Sequence, residues 1–231
     1  GAANEYKITT TYMISSKVEG IDTVVRGAII NSLSAFNVKE ANIMSSSKVG
    51  PTIAKDITVR STWAIALAII GMFLYILVRF RNLGFSLGAT VALFHDVLIV
   101  FSLYSILWKI MPFELSIDQA FIAAILTVVG YSINDTVVVF DRVREFIGLN
   151  KREDDMGPVI NDAINTTLSR TLITSLTTFL VVAILFAFGG EGLKGFTFAL
   201  LVGIGVGTYS SICIATPIVL DMLKLQKKKK D

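Results

Sequence analysis

The chain has 231 residues, of which 53% are hydrophobic, and it carries a formal net charge of +3 with a mean hydropathy of +0.69. Soluble globular domains are about 45–50% apolar even when glycine is counted, so an ordinary soluble domain is disfavoured. The basic residues stand at segment ends, which excludes a nucleic-acid-binding patch. A single cysteine, Cys213, excludes an intramolecular disulfide framework.

Residues 1–57 are more polar than the rest and predict part of a small external α+β domain. The segment 6–14 is rich in Thr, Ile and Tyr, as strands are, and 40–46 predicts a second short strand. Between them, 21–36 places apolar residues at helical spacing after an acidic start. Such a strand–helix–strand unit buries little core alone, so we expect a partner segment from outside this chain.

Five apolar segments follow, and each is long enough to cross the hydrocarbon core of a bilayer. They predict a transmembrane bundle over 58–223, with spans at 62–78, 83–108, 120–140, 172–188 and 196–220, followed by a basic tail over 224–231. The chain is therefore predicted to be an α-helical polytopic membrane protein with a small external domain.

The basic residues predict the orientation of these spans, because cytoplasmic loops are enriched in Lys and Arg. The short loops on one side hold only Lys109 and Lys194. The opposite side holds eleven basic residues: Arg79, Arg81, Arg142, Arg144, Lys151, Arg152, Lys224 and Lys227 to Lys230. We therefore expect the 141–165 loop and the C-terminus in the cytoplasm, and residues 1–57 outside.

Asp135 is the strongest candidate for a functional residue, because it stands inside the apolar run of the third span. A charge at the centre of a bilayer costs at least about 2.5–3.5 kcal/mol, so intramembrane acids are rare and usually functional. Tyr131, Asn134 and Asp135 follow i, i+3, i+4 spacing and are predicted to share a helix face. Asp135 is predicted to carry a proton, and the alternative is a structural carboxylate that neighbouring helices satisfy.

Arg170 opens the fourth span, and with Thr174, Thr177 and Thr178 it forms a polar stripe that we expect to face other helices. An Asp135–Arg170 pair across two antiparallel helices fits this spacing. The alternative is that Arg170 reaches to the interface between lipid and water.

Asp96 stands near the middle of the second span, and it is the next candidate for a proton relay. His95 points about 100° away from it around a helix, so the two need not act together. Gly203 and Gly207 form a GxxxG pair, which predicts close helix packing. No cluster of metal-binding residues and no hydrolase signature is present in the sequence, so we expect neither a metal, a cofactor nor an enzyme.

Six motifs of the chain resemble those of SecF, or of the SecF half of a fused SecDF, the accessory membrane component of the bacterial Sec export machinery. They are VGPTIAKD at 49–56, YILVRFRN at 75–82, ALFHDVLIV at 92–100, GYSINDTVVVFDRVRE at 130–145, SRTLITSLTT at 169–178 and GTYSSICIATP at 207–217. They follow the family's order and cover the chain from about residue 49 to its end.

The resemblance implies a proton-driven transporter of the resistance-nodulation-division type, with six spans per half and a ferredoxin-like external domain. On that basis we expect this chain to hold five spans of such a half and part of the external domain. The resemblance also implies that Asp135 and Arg170 form the proton site. From the residues themselves, we predict Asn134, Tyr131, Thr174 and Asp96 as supporting polar residues. The implied partners are SecD, the SecYEG translocon, the preprotein and membrane lipids, in the bacterial inner membrane.

Three functions therefore stand as hypotheses at this point. The first is a subunit that assists protein export with the proton-motive force. The second is a proton-coupled exporter of small molecules or lipids in the same superfamily, although residues 1–57 are short for the external domain of an exporter. The third is a structural subunit that scaffolds the translocon without moving protons.

Overall fold

A computed structural model describes residues 20–36, 51–150 and 155–228 of the chain, together with isolated positions before residue 20. The chain divides into two compact units, Gly1–Arg60 and Ser61–Asp231. In the first unit, helix α1 spans Ile21–Ser32 and a 3₁₀ turn spans Ser34–Phe36, which covers the segment predicted to be a helix.

The predicted α+β external domain is not supported, because the described residues contain no strand. Tyr12 and Met13, within the predicted strand 6–14, form a turn, and Met13 has a left-handed φ of 54° that an extended strand excludes. Most of the rest of that strand, and all of the predicted strand 40–46, lie outside the described residues.

Long helices make up the rest of the described chain. They are α2 (Pro51–Phe80), α3 (Leu83–Leu107), α4 (Gln119–Leu149), α5 (Met156–Phe188), α6 (Glu191–Ser210), a π-helical segment (Ser211–Ala215) and α7 (Thr216–Lys228). Five stretches are long and apolar enough to cross a membrane: Ile57–Phe80, Leu83–Leu107, Gln119–Leu149, Met156–Phe188 and Glu191–Gln226. The predicted number of spans is confirmed, and the fifth runs through α6, the π-helical segment and α7.

Polar side chains just before three of these helices explain where they begin. The first turn of a helix leaves backbone N–H groups without partners inside the helix. Asn82 accepts a hydrogen bond from Gly84 N (2.7 Å), Asp118 from Phe121 N (2.9 Å) and Asp155 from Gly157 N (3.0 Å). These N-caps fix the starts of α3, α4 and α5.

Helix α4 lies at the centre of the bundle and contacts α3, α5 and α6. The predicted close packing of the GxxxG pair is confirmed, since Gly203 faces Val128 and Gly207 faces Ser132 across the α4–α6 contact. Rings of Phe80, Phe85 and Phe140 pack together with centroids 5.0–5.8 Å apart and join α2, α3 and α4 at one end. Because α4 is covered on several sides, its polar residues meet partners from three neighbouring helical segments.

Candidate functional site

Asp135 lies on α4 at the contact with α5, and only 4% of it is exposed. The hydroxyl of Ser175 on α5 donates a hydrogen bond to Asp135 Oδ2 at 3.0 Å. A hydroxyl donor favours the ionised form of a carboxylate, whereas burial favours the neutral form. Ser175 therefore fixes the position of the Asp135 carboxyl group, while burial and this hydrogen bond act on its ionisation in opposite directions.

Arg170 stands on α5, five residues before Ser175, and interacts electrostatically with Asp135. Within the described part of the chain, its guanidinium group donates no hydrogen bond and lies beyond the 4.0 Å limit of an ion pair with Asp135. Arg170 as a whole is exposed. The two groups are therefore near each other without being bound to each other.

An open groove of about 320 Å³ lies between the ends of α4 and α5 and reaches Arg170. Its lining residues are Val138, Asp141, Arg142, Glu145, Thr166, Thr167 and Arg170. Arg142 is already bound there, because it donates to Glu145 at 2.8 Å and to Thr166 Oγ1 at 3.0 Å. Arg170 also lines this groove, but its guanidinium group has no hydrogen-bond partner among the described residues.

The buried polar face of α5 differs from the predicted stripe of Arg170, Thr174, Thr177 and Thr178. The first three are exposed, and Thr178 is half-buried. Buried in their place are three hydroxyl residues at i, i+4, i+8 spacing: Thr167, Thr171 and Ser175. The buried polar face is thus displaced by one position from the predicted stripe, which is a rotation of about 100° around the helix.

Thr171 stands out within this face because its hydroxyl oxygen has no hydrogen-bond partner among the described residues, although only 2% of the residue is exposed. Buried polar groups nearly always have hydrogen-bond partners, and an ordered water molecule is one such partner. Thr167 lines the groove and Ser175 binds Asp135, so Thr171 stands one helical turn from each.

The other predicted supporting residues have separate environments. Tyr131 is half-buried and its hydroxyl donates to Thr178 at 3.4 Å, while Asn134 is exposed. Thr174 is also exposed, and its hydroxyl donates to the carbonyl oxygen of Arg170 at 3.0 Å. The spacing of Tyr131 and Asn134 relative to Asp135 was correct for a helix, but a side chain's exposure depends on the neighbouring helices.

Asp96 belongs to a second polar cluster, on the side of α4 that contacts α3 and α6. It is 0% exposed, and its Oδ2 accepts hydrogen bonds from Ser132 of α4 (2.7 Å) and Ser210 of α6 (2.8 Å). Nδ1 of His95 lies 3.2 Å from its Oδ1. The two neighbouring side chains therefore do meet, although their directions around the helix did not predict this contact.

The cluster continues into the π-helical segment. Ser211 lies 2.8 Å from Thr136 of α4, hydroxyl to hydroxyl, and also donates to the carbonyl oxygen of Gly207 at 2.8 Å. Single π turns inside α-helices are rare and are frequent at functional sites. Sequence reasoning missed Ser132, Ser175 and Ser210, although Ser132 and Thr136 show i, i+4 spacing on α4.

At the end of α4, charged residues form ion pairs. Arg79 of α2 donates to Asp141 at 3.0 Å, and Arg142 binds Glu145. The side chains in both pairs are more than a third exposed, and pairs of this kind contribute little to stability. This end of α4 is therefore a solvated, salt-bridged helix end.

Comparisons with known proteins agree on one family. A model described as "Protein export membrane protein SecD/SecF, C-terminal" matches residues 29–225. The protein translocase subunit SecF of Rhodothermus marinus is 50% identical over 211 residues, which cover 91% of this chain and 68% of the relative. The SecF subunit of Thermodesulfovibrio yellowstonii is 44% identical over 208 residues, or 90% of this chain and 66% of that protein.

Two solved structures are also similar. The crystal structure of SecDF from Thermus thermophilus, titled as a translocon-associated membrane protein, has 38% identity and a TM-score of 0.71. It matches 87% of this chain, which covers 27% of that structure. A structure of SecDF in a super-membrane-facing form has 33% identity and a TM-score of 0.68, with 89% of this chain and 27% of the other covered.

Proposed function

Because the chain belongs to the SecD/SecF family of protein export membrane proteins, we propose that it is part of an accessory subunit of the bacterial Sec translocon. We further propose that it uses the proton-motive force to assist the export of preproteins across the inner membrane. The observation that carries this proposal is the buried carboxyl group of Asp135, which lies within the electrostatic reach of Arg170.

In this mechanism Asp135 binds and releases the transported proton. When Asp135 is ionised, Arg170 supplies the opposite charge and Ser175 donates a hydrogen bond, and both favour the charged form. When Asp135 is protonated, the attraction to Arg170 is lost and α4 and α5 are free to repack. One proton that crosses 100 mV supplies about 2.3 kcal/mol, which shifts a two-state equilibrium by more than tenfold.

The groove at the ends of α4 and α5 offers a route between water and Asp135. The route passes the hydroxyl groups of Thr167, Thr171 and Ser175 in turn. One turn of a helix rises about 5.4 Å, so neighbouring hydroxyls in this row need a water molecule between them. The unpartnered hydroxyl of Thr171 supports such a bridging water.

The orientation and the partners are part of the same proposal. The basic residues favour a cytoplasmic groove and C-terminus and an external N-terminal unit. The solved SecDF chain is much longer than this one, so SecD is the expected partner that completes the transporter. We expect the complex to contact SecYEG and the emerging preprotein, with the basic C-terminal tail near anionic lipids.

The test is the substitution Asp135→Asn in the full-length protein, reconstituted with SecD and the translocon in vesicles that carry an imposed proton gradient. Preprotein export and proton flux are measured together. Asp135→Asn is expected to abolish both the proton flux and the proton-dependent part of export. Asp118→Asn is a matched control, because Asp118 caps the same helix and Asn caps equally well.

Other outcomes favour the other two hypotheses. Export that remains proton-dependent at wild-type level in Asp135→Asn would refute the proposed mechanism. Absence of proton flux in the wild type, with export unchanged in Asp135→Asn, would favour the scaffold, for which Asp135 is only a structural group bound by Ser175. Proton flux that persists without any translocon and drives the efflux of a small molecule would favour an exporter.

A further inference from the structure

The two carboxyl oxygens of Asp96 have different hydrogen-bond partners. Oδ2 accepts from both Ser132 and Ser210, at 2.7 and 2.8 Å, so it is anchored from α4 and α6 at once. Oδ1 faces the Nδ1 atom of His95 at 3.2 Å. One oxygen is thus fixed by two hydroxyl groups, and the other faces an imidazole nitrogen.

Few groups around Asp96 could compensate the charge of its ionised carboxyl group. Among the described residues, His95 is the only ionisable group that interacts electrostatically with Asp96. The segments that pack around the carboxyl group otherwise contribute hydroxyl groups, and Tyr209 of α6 has its ring 6.5 Å from the His95 ring, centroid to centroid. An ionised acid buried in an apolar bundle without a cation is costly, so a bound proton on this pair neutralises it.

The two residues also differ in access. Asp96 is 0% exposed, whereas the His95 side chain is 32% exposed. The imidazole ring is therefore the part of this pair that reaches the surface of the bundle formed by the described helices. The second nitrogen of that ring, Nε2, makes no hydrogen bond within the described part of the chain.

We propose that His95 and Asp96 form a second proton-binding site, separate from Asp135 and loaded through the His95 ring. The proposal rests on the proposed function, in that it adds a second titrating site to the same proton-driven transporter. The ligand is a single proton, and the serines position the carboxyl group without taking part in the transfer.

The proton count balances without any other reactant. In the empty state, neutral His95 carries its proton on Nδ1 and donates it to the ionised Asp96 Oδ1. A proton that binds Nε2 releases the Nδ1 proton to Oδ1. The loaded state is then a neutral carboxylic acid whose Oδ1–H donates back to Nδ1, and the hydrogen bonds from Ser132 and Ser210 to Oδ2 stay in place.

The experiment measures the infrared carbonyl-stretch band of buried protonated carboxyl groups across a pH titration. It uses the full-length protein with its SecD partner in lipid vesicles. We expect two titrating bands in the wild type, of which Asp96→Asn removes one and Asp135→Asn the other. His95→Gln, which cannot titrate, is expected to keep the Asp96 band and displace its midpoint. Glutamine still offers a hydrogen-bond donor but cannot take up a proton, so a contact that is only a hydrogen bond is expected to leave the midpoint nearly unchanged.

Thr90→Val is the matched control, because Thr90 lies on the same helix and its hydroxyl binds only the carbonyl oxygen of Ser86. It is expected to leave both bands unchanged. A spectrum of Asp96→Asn identical to that of the wild type at every pH would overturn the proposal. So would an unchanged midpoint in His95→Gln, which decides the matter if Asp96→Asn fails to insert.

The two proposals fail separately. If Asp135→Asn retains proton-dependent export while the Asp96 band is present and moves in His95→Gln, the proposed role of Asp135 fails and the second site stands. If Asp135→Asn abolishes export and the Asp96 band is absent, only the second site fails.

Discussion

Alanine substitutions along α6 test how closely this helix must approach α4. A Cβ atom on Gly203 would overlap both γ-methyl groups of Val128. A Cβ atom on Gly207 would lie 3.0 Å from Cβ and 3.2 Å from Oγ of Ser132. A Cβ atom on Gly205, on the exposed side of the same helix, would have no heavy atom within 4 Å. Gly205→Ala is therefore a matched control for the other two.

The magnitudes follow from two opposing effects. Alanine favours a helix over glycine by about 0.8–1.0 kcal/mol, and this gain applies at all three positions. Overpacking a filled interior costs about 1–3 kcal/mol, and this cost applies only at Gly203 and Gly207. We therefore expect Gly205→Ala to be neutral or stabilising, and Gly203→Ala to be about 1–3 kcal/mol less stable than Gly205→Ala. Gly207→Ala should fall between them, since its contacts are less severe.

The assay is equilibrium unfolding of the purified protein in mixed micelles by titration with a denaturing detergent. Val128→Ala removes the two methyl groups that a Cβ on Gly203 would meet, so combining it with Gly203→Ala should recover part of the lost stability. The coupling free energy of that pair is expected at about 0.5–3 kcal/mol. Equal stability of Gly203→Ala and Gly205→Ala, or zero coupling with Val128→Ala, would refute the packing argument.

Three further predictions concern the proposed proton route and the orientation. Thr171→Val should leave stability nearly unchanged, because the hydroxyl it removes has no partner, but it should slow proton-dependent export; a wild-type rate would contradict the water bridge. Arg170→Lys should retain more proton flux than Arg170→Ala and less than the wild type, because lysine keeps the charge but loses the planar fork. Equal flux in the two variants would contradict a role for the charge. With the exposed Cys213 replaced by serine, a new cysteine in 109–117 should react with an impermeant thiol reagent from outside and one in 146–158 should not, whereas equal labelling would contradict the orientation.

The spans were predictable because their physical constraint is simple. A helix that crosses hydrocarbon needs about 20 apolar residues, and five such runs are visible in the sequence. The same constraint makes Asp135 and Asp96 conspicuous, since a carboxyl group interrupts an apolar run in each case. No comparable constraint supported the predicted strands, because whether a short segment with β propensity forms a strand depends on the segments that pack against it.

The partners of the acids could not be predicted, because serine and threonine leave almost no signal in an apolar helix. Ser175 binds Asp135. The polar pattern of α5 instead predicted a stripe through Arg170 and Thr174, which is displaced by one position from the buried face. Which side of a helix is buried depends on how the helix is rotated against its neighbours, and hydropathy does not fix that rotation when most of the circumference is apolar. The contact between His95 and Asp96 was missed for a similar reason, because the angle between two Cβ directions does not fix where the side-chain tips meet.

The position of the two acids relative to α4 links them mechanically. Ser132 binds Asp96, and Asp135, three residues further on the same helix, binds Ser175 of α5. Both contacts lie within a single turn of α4, so a rotation of this helix that separates Asp135 from Ser175 also displaces Ser132 from Asp96. In the proposed mechanism, protonation at either site changes the free energy of the same movement, which is the condition for coupling between two sites. It follows that the effects of Asp96→Asn and Asp135→Asn on export should not be additive, and additive effects in the double variant would show that the two sites act on different movements.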